Sequence, residues 1–386
     1  MKKVRIGLIG PGFMGKSHAV AFRNVPLVFS PSAEPVLELL ADVDEETARE
    51  AASALGFRRW SGDWRALVTD PGIDIVDITT PNHLHKEMAL AAIEAGKHVY
   101  CEKPLALTAA DAKAMADAAE AAGVKTLVGF NYLKNPATGL VKDLIGRGEI
   151  GDIVHFRGTF DQDVLADPLQ PFSWRFQRDL AGSGALGDLA SHTINMAQHL
   201  VGEVAEVCAQ TQTWITRRPV IESGTGYLAK ASADAEMREV ENEDQVQTLL
   251  RFANGAGGTI ESSRIASGRK LWLTYEITGT RGAVYFTQER MNEVNLYRAG
   301  DPTAEQGFRT ILIGPEHPHY REFHPIAGLG LGYNDQKIIE AFELIEAVAG
   351  DTPLSPDFRA GFETCRVIDA VLLSVAERRW VSVTEI

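Results

Sequence analysis

The sequence predicts an α/β protein in two parts: a helix-flanked parallel sheet first, then a mainly antiparallel sheet with one face covered. Three observations predict it. Between Val4 and Phe130 short apolar runs alternate with helical stretches, the pattern of parallel strands joined by right-handed crossovers. After Asn131 the texture changes to longer segments in which polar and apolar residues alternate, as they do in sheets with one solvated face. The length, 386 residues, fits two domains, which the change of texture divides into 1–131 and 132–386.

Taken in order, the apolar run 4–9 ends in glycines and reads as a buried strand, followed by a helix over 13–24. A loop containing Pro26, Pro31 and Pro35 leads to a second strand over 36–41. Asp42-Val43-Asp44 then opens a helix with acidic residues in its first turn. A third strand, 73–79, is closed by Thr80-Pro81-Asn82, and a helix over 83–95 stops at Gly96. The strand 98–101, a helix capped by Thr108 and running to 122, and the strand 125–130 complete this half. Beyond a helix over 136–146, strands are expected at 153–160, 204–216, 245–252, 258–263, 271–277 and 283–287. Helices are expected over 188–201, 333–349 and 357–378, and the polar stretch 222–243 reads as a mobile surface loop.

Composition narrows the function. Apolar residues make up 45% and charged residues 23% of the chain, ordinary for a globular protein and unlike disordered, collagen-like or disulfide-scaffold chains. The formal charge of −14 repels phosphate backbones, so no nucleic-acid partner is expected. Cys101, Cys208 and Cys365 are odd in number and widely spaced, which fits reduced thiols in a cytoplasmic protein. The basic start Met1-Lys2-Lys3-Val4-Arg5 is followed by too short and glycine-broken a run for a signal peptide, and no apolar run is long enough to span a membrane. A soluble, cytoplasmic chain with no membrane partner is expected.

Gly10-Pro11-Gly12-Phe13-Met14-Gly15 is a GxGxxG match. With 35 glycines in the chain the pattern alone carries little, but it lies between the first strand and the first helix, where a dinucleotide fold needs it. There Gly10 makes the turn, Gly12 lets backbone approach a pyrophosphate, Gly15 packs helix on strand, and the helix N-terminus supplies donors. Asp42, at the end of the second strand, is the acid that would accept from ribose hydroxyls. No arginine follows it directly, so NAD is favoured over NADP. Gly10 to Ser17 also matches the GxxxxGKS phosphate loop of nucleotide triphosphatases. That rival needs a magnesium-holding aspartate closing a later strand, for which Asp77 is the candidate.

Two further constellations carry chemistry. Glu102-Lys103-Pro104 follows a strand at its carboxyl end, where open α/β sheets place ligands; a lysine there can donate to a developing alkoxide. In Gly187-Asp188-Leu189-Ala190-Ser191-His192 a carboxylate and an imidazole stand at i and i+4. Asp188, His192, Asn195 and His199 share one face, suited to proton transfer or simply a solvated polar face. His83, His85, His317, His319 and Cys101 do not make a convincing ligand set, so no metal is assigned. Trp174-Arg175 and Tyr333-Asn334 suit a sugar face or a core edge equally.

Together, Gly10 to His18, Thr80-Pro81-Asn82-His83-Leu84-His85, Glu102-Lys103-Pro104, Gly129-Phe130-Asn131-Tyr132 and Gly187-Asp188-x-x-x-His192 resemble the glucose–fructose oxidoreductase/inositol dehydrogenase (Gfo/Idh/MocA) family over essentially the whole chain. The resemblance implies a doubly wound Rossmann domain, then an α+β domain with a large open sheet used for oligomerisation, giving a homodimer or homotetramer. It implies hydride transfer between a nicotinamide and a carbinol carbon of a sugar, anhydrosugar or cyclitol. Lys103, Asp188 and His192 would then be catalytic. Gly10, Gly12, Phe13, Met14, Gly15, Asp42, Thr80, Pro81, Asn82, His85, Glu102 and Asn131 would surround the cofactor. Tyr132, Gln162, Trp174, Arg175 and Tyr333 are the candidate substrate contacts. Relatives often carry a second acid three residues after the histidine, where this chain has Asn195. Other members' activities, as myo-inositol dehydrogenases or as aldose or ketose reductases, stay open, as does a non-catalytic cofactor-binding sensor.

Overall fold

A computed structural model of the chain describes residues 2–221, 231–232 and 234–386. The described residues form two compact units: one takes in the chain up to Ala106 with Ala110–Asn135 and Gly314–Glu363, the other Leu107–Ala109, Pro136–Ile313 and Thr364–Ile386. A single cut at residue 131 therefore misses a return. The helix Tyr333–Gly350 belongs to the first unit, because its Ile338, Ile339, Ala341, Leu344 and Ile345 are buried in one core with Phe22, Val25 and Phe29.

In the first unit β1 (Lys2–Ile9), β2 (Ala33–Ala41), β3 (Arg59–Ser61), β4 (Ile75–Ile78), β5 (His98–Cys101) and β6 (Thr126–Val128) form a six-stranded sheet in the order β3-β2-β1-β4-β5-β6. Every pair in it is parallel, the Rossmann order, with α1 (Phe13–Val28), α2 (Glu45–Leu55), α3 (Trp64–Thr69), α4 (His85–Glu94) and α5 (Ala109–Ala122) as crossovers. The order reverses beside β1, which opens a crevice at the carboxyl ends of β1 and β4.

Local chemistry departs from the sequence expectation in three places. α1 continues through Pro26 to Val28; proline forfeits only one hydrogen bond in the last turn, and the burial of Phe22, Val25 and Phe29 holds that turn in place. β2 begins before Pro35, which is tolerated because β3 pairs only with Leu39–Ala41 and leaves one side of Pro35 open. β3 and α3 were not anticipated: Arg59-Trp60-Ser61 is too short and exposed to show a strand pattern.

In the second unit β7 (Ile153–Asp161), β8 (Val204–Gln212), β11 (Gln245–Phe252), β12 (Gly257–Ser263), β13 (Trp272–Gly279), β14 (Gly282–Thr287), β15 (Glu293–Arg298), β16 (Arg309–Leu312) and β17 (Val381–Ser382) make a nine-stranded sheet. β9 (Arg217–Pro219) and β10 (Met237–Glu239) pair separately. β7 and β12 run parallel, and the other neighbours are antiparallel. β11 alternates buried and more exposed residues, and β7 lies so close to the helix Ser191–Leu200 that a Cβ on Gly158 would fall 2.3 Å from the Thr193 methyl. The strand expected over 204–216 stops at Gln212. β15, β16 and β17 were not anticipated.

The expected loop 222–243 is corrected where it is described: Met237–Glu239 is a strand and Asn242, Glu243 and Asp244 are buried. Residues 222–230 and 233 lie outside the described residues. The helix expected over 188–201 is two pieces, a π-helical turn Leu186–Ala190 and an α-helix Ser191–Leu200. Among the described residues no helix is long and apolar enough to cross a membrane.

Candidate active site

The glycine turn is built by close contacts. Gly10 has φ +90°, and its N–H donates to the Ala41 carbonyl at 3.0 Å. A Cβ on Gly15 would fall 2.2 Å from the Gly10 oxygen, so only glycine lets α1 start this close to β1. The Thr79 hydroxyl donates to the same oxygen at 2.5 Å, a part of the turn that sequence reading missed because Thr79 looked like a strand end. Gly12 is different: a Cβ there would meet nothing within 4 Å, and α1 has neither a side-chain cap nor an acid in its first turn. That bare, uncrowded N-terminus fits a pyrophosphate. Asp42 follows β2 directly and accepts from the Val43 N–H at 2.7 Å. Val43 is 88% exposed, so no cation is next in line for a 2′-phosphate.

Four residues assigned to different roles meet beside this turn. Phe13 stacks on Tyr333 at 6.3 Å, Tyr132 meets Tyr333 edge-on at 6.2 Å, and the Tyr333 hydroxyl lies 3.6 Å from the Met14 sulfur. Phe13 is 67% exposed, an apolar surface beside the crevice.

Thr80, Pro81 and Asn82 follow β4, with Asn82–Leu84 in a short 3-10 turn. His85 is wholly buried and sets one ring nitrogen 2.9 Å from the Pro104 carbonyl and the other 3.0 Å from that of Thr80. It ties two loops together and offers no surface to a ligand. Burial lowers its tendency to take a proton. Asn131, also buried, donates to Gln336 at 3.2 Å. Lys103 is half-buried, and its bond to Pro104 is cis.

Beneath Lys103 lies a charge cluster that the sequence did not announce. Glu102 accepts from the Lys103 N–H at 3.1 Å, from His18 Nε2 at 2.9 Å and from Lys337 Nζ at 2.8 Å. His18 turns Nδ1 to Asp77 at 2.9 Å, and Lys337 also reaches Glu340 at 3.0 Å. Tyr100 donates to Glu340 and stacks on the His18 ring at 4.3 Å. Burial opposes the charge on His18, but Asp77 and Glu102 outweigh it and raise its pKa. Burial likewise opposes the charge on Glu102, yet Lys337 and His18 hold its carboxyl well below the usual range. Asp77 lies inside β4, fully buried and bonded to His18, so it is not placed to hold magnesium as the phosphate-loop reading requires.

In the second unit the π turn carries Asp188 and leads straight to His192. The Ser191 N–H reaches back to the Leu186 carbonyl, so the simple i, i+4 spacing on a regular helix does not apply. Glu243 anchors the turn: its Oε1 accepts from Gly184 and Leu186 N–H groups at 2.6 and 2.9 Å, and burial raises its pKa. Every residue from Ser191 to Ala197 is buried, which rules out the solvated polar face. His192 packs on Phe160, ring centres 5.7 Å apart. Asn195 donates to Thr364 at 3.2 Å. Arg175 stacks on Trp174 at 4.5 Å, and its carbonyl accepts from Asn242 at 2.8 Å; Gln162 follows β7 and is half-buried.

A Rossmann sheet with an uncrowded glycine turn and an acid after its second strand defines an NAD-binding oxidoreductase. Residues 4–130 match the oxidoreductase family with an NAD-binding Rossmann fold, and residues 139–285 match the GFO/IDH/MocA C-terminal domain. The chain belongs to the Gfo/Idh/MocA family. It is 46% identical over 388 residues, all of both chains, to levoglucosan dehydrogenase of Pseudarthrobacter phenanthrenivorans. A scyllo-inositol 2-dehydrogenase (NAD(+)) of Bacillus subtilis is 30% identical over 77% of this chain and 78% of that protein. The solved complex of levoglucosan dehydrogenase with NADH and levoglucosan superposes with a TM-score of 0.94 at 45% identity, covering 100% of both chains. Ser173-Trp174-Arg175-Phe176-Gln177, 182–188, Arg251-Phe252-Ala253-Asn254-Gly255 and Gly330-Leu331-Gly332-Tyr333 are the stretches that look most like that enzyme on sequence alone.

Proposed function

We propose that this NAD-dependent oxidoreductase oxidises a carbinol carbon of an anhydrosugar, with levoglucosan as the first substrate to test. The full-length similarity to a levoglucosan dehydrogenase carries this reading. NAD supplies the hydride acceptor. Gly10, Gly12, Phe13, Met14 and Gly15 hold its pyrophosphate, Asp42 its ribose, and Thr80, Pro81, Asn82, Glu102 and Asn131 form the wall on the nicotinamide side, which His85 braces from behind. His192 takes the proton of the substrate hydroxyl, at a pKa suited to neutral pH. Lys103 donates to the oxygen as charge builds on it, and Asp188 orients the imidazole or a neighbouring hydroxyl. Gln162, Trp174 and Arg175 face the sugar, and Tyr132 and Tyr333 border the same substrate. No step uses a metal.

The similarity to an inositol dehydrogenase supports a second reading, with a cyclitol as substrate. One experiment separates them: the purified protein is given levoglucosan, inositols and common aldoses, each with NAD and with NADP, and absorbance of the reduced cofactor is followed. Levoglucosan with NAD is expected to give the highest kcat/KM. A preference for an inositol would replace the anhydrosugar reading. The cytoplasmic location and the homodimer or homotetramer belong to the same proposal, and sedimentation velocity tests the latter.

A further inference from the structure

We propose that the buried cluster of Asp77, His18, Glu102, Lys337 and Glu340 makes the protein discriminate between oxidised and reduced coenzyme, favouring NAD+ over NADH. The geometry fixes its charge. His18 has a carboxylate at each ring nitrogen, Asp77 at 2.9 Å and Glu102 at 2.9 Å; a carboxylate only accepts, so both nitrogens donate and the ring is an imidazolium. Lys337 is wholly buried between Glu102 and Glu340. The five side chains thus hold two cations and three anions, none more than 5% exposed. Tyr100 is kept neutral by burial and by the carboxylates near it, and burial pushes His85 toward its neutral form. The remaining cation at this edge is Lys103, whose backbone N–H meets Glu102 and whose charge the substrate oxygen uses.

Position supplies the second half. Asp42 sets the adenosine side of a dinucleotide at the end of β2, and the glycine turn after β1 sets its pyrophosphate, so the nicotinamide half extends over the carboxyl ends of β4 and β5. Asp77 is in β4, Glu102 directly follows β5, and His18 stands in α1 just past the turn. A buried excess of negative charge is costly. The pyridinium of NAD+ carries the countercharge, whereas the dihydropyridine of NADH does not.

The test uses coenzyme alone, so it is independent of the sugar reading. NADH is titrated by its fluorescence, and NAD+ by competition, into the wild type, Glu340→Gln and Asp77→Asn. Each variant removes one negative charge from a residue given no coenzyme contact; in Glu340→Gln, Lys337 retains Glu102 as its partner. The ratio of NADH affinity to NAD+ affinity is expected to rise about tenfold in each. If both affinities move by the same factor, the cluster merely holds the fold, and the proposal is overturned. An unchanged ratio overturns it equally, and absence of saturable coenzyme binding to the wild type would overturn the NAD assignment on which it rests. Asp77→Asn keeps the test available should Glu340→Gln fail to fold.

Discussion

At the residue scale, function turns on a few atoms whose surroundings decide what they can do. Gly12 keeps the turn uncrowded, while Gly15 keeps a 2.2 Å clash from forming. Lys103 stands at a strand end with its own N–H held by a carboxylate that His18 and Lys337 keep ionised. Removing its ammonium by Lys103→Ala should lower kcat by about a hundredfold to a thousandfold, the usual effect of losing a donor to a developing oxyanion. NADH affinity should stay within about twofold, since the pyrophosphate and ribose contacts lie elsewhere. Steady-state kinetics alongside fluorescence titration checks both; a variant with most of its turnover removes this lysine from the mechanism. Lys103, Asp188, His192 and the glycines were legible as motifs. His18, Lys337, Glu340 and Glu243 were not, because a buried charge has no signature until its partners, hundreds of positions away, are brought beside it.

At the element scale, strand alternation and glycine-ended apolar runs located most of both sheets, since a period of two is printed directly in the sequence. Short edge elements escaped: β3, β16 and β17 bury too little to leave a pattern. The π turn escaped too, because it is imposed on Leu186–Ala190 by Glu243 from another segment. The outer face of the large sheet yields a pH prediction. Asp161, at the end of β7, has its pKa raised to about 6 by partial burial, with Glu261 adding repulsion. Its folded pKa lies above the unfolded value, so the native state binds more protons between about pH 4 and 6, and stability falls as pH rises through that window. Asp161→Asn should therefore raise Tm by a few degrees at pH 7 and leave it nearly unchanged at pH 4, as thermal unfolding at the two pH values would show. An equal gain at both would exclude titration of Asp161 as the cause.

For the whole molecule, chain order and packing order differ. The first unit is completed only when Gly314–Glu363 returns to it, bringing Ile338, Ile339, Leu344 and Ile345 against α1 and Lys337 to Glu102. A fragment ending at Asn135 should therefore expose that apolar face and aggregate, whereas the same fragment joined to Gly314–Glu363 should be soluble and bind NADH. Size-exclusion chromatography and NADH fluorescence would decide; a soluble, NADH-binding short fragment would make the returning helix dispensable.

The sequence by itself determined the fold class, the cofactor turn and the family, because strand period, glycine placement and short motifs are local properties that a chain displays before it folds. Tertiary structure alone decided which charges share a proton, how the Asp188 turn is wound and which segments share a core. Those depend on desolvation and on partners distant in sequence, and neither exists until the chain has closed on itself.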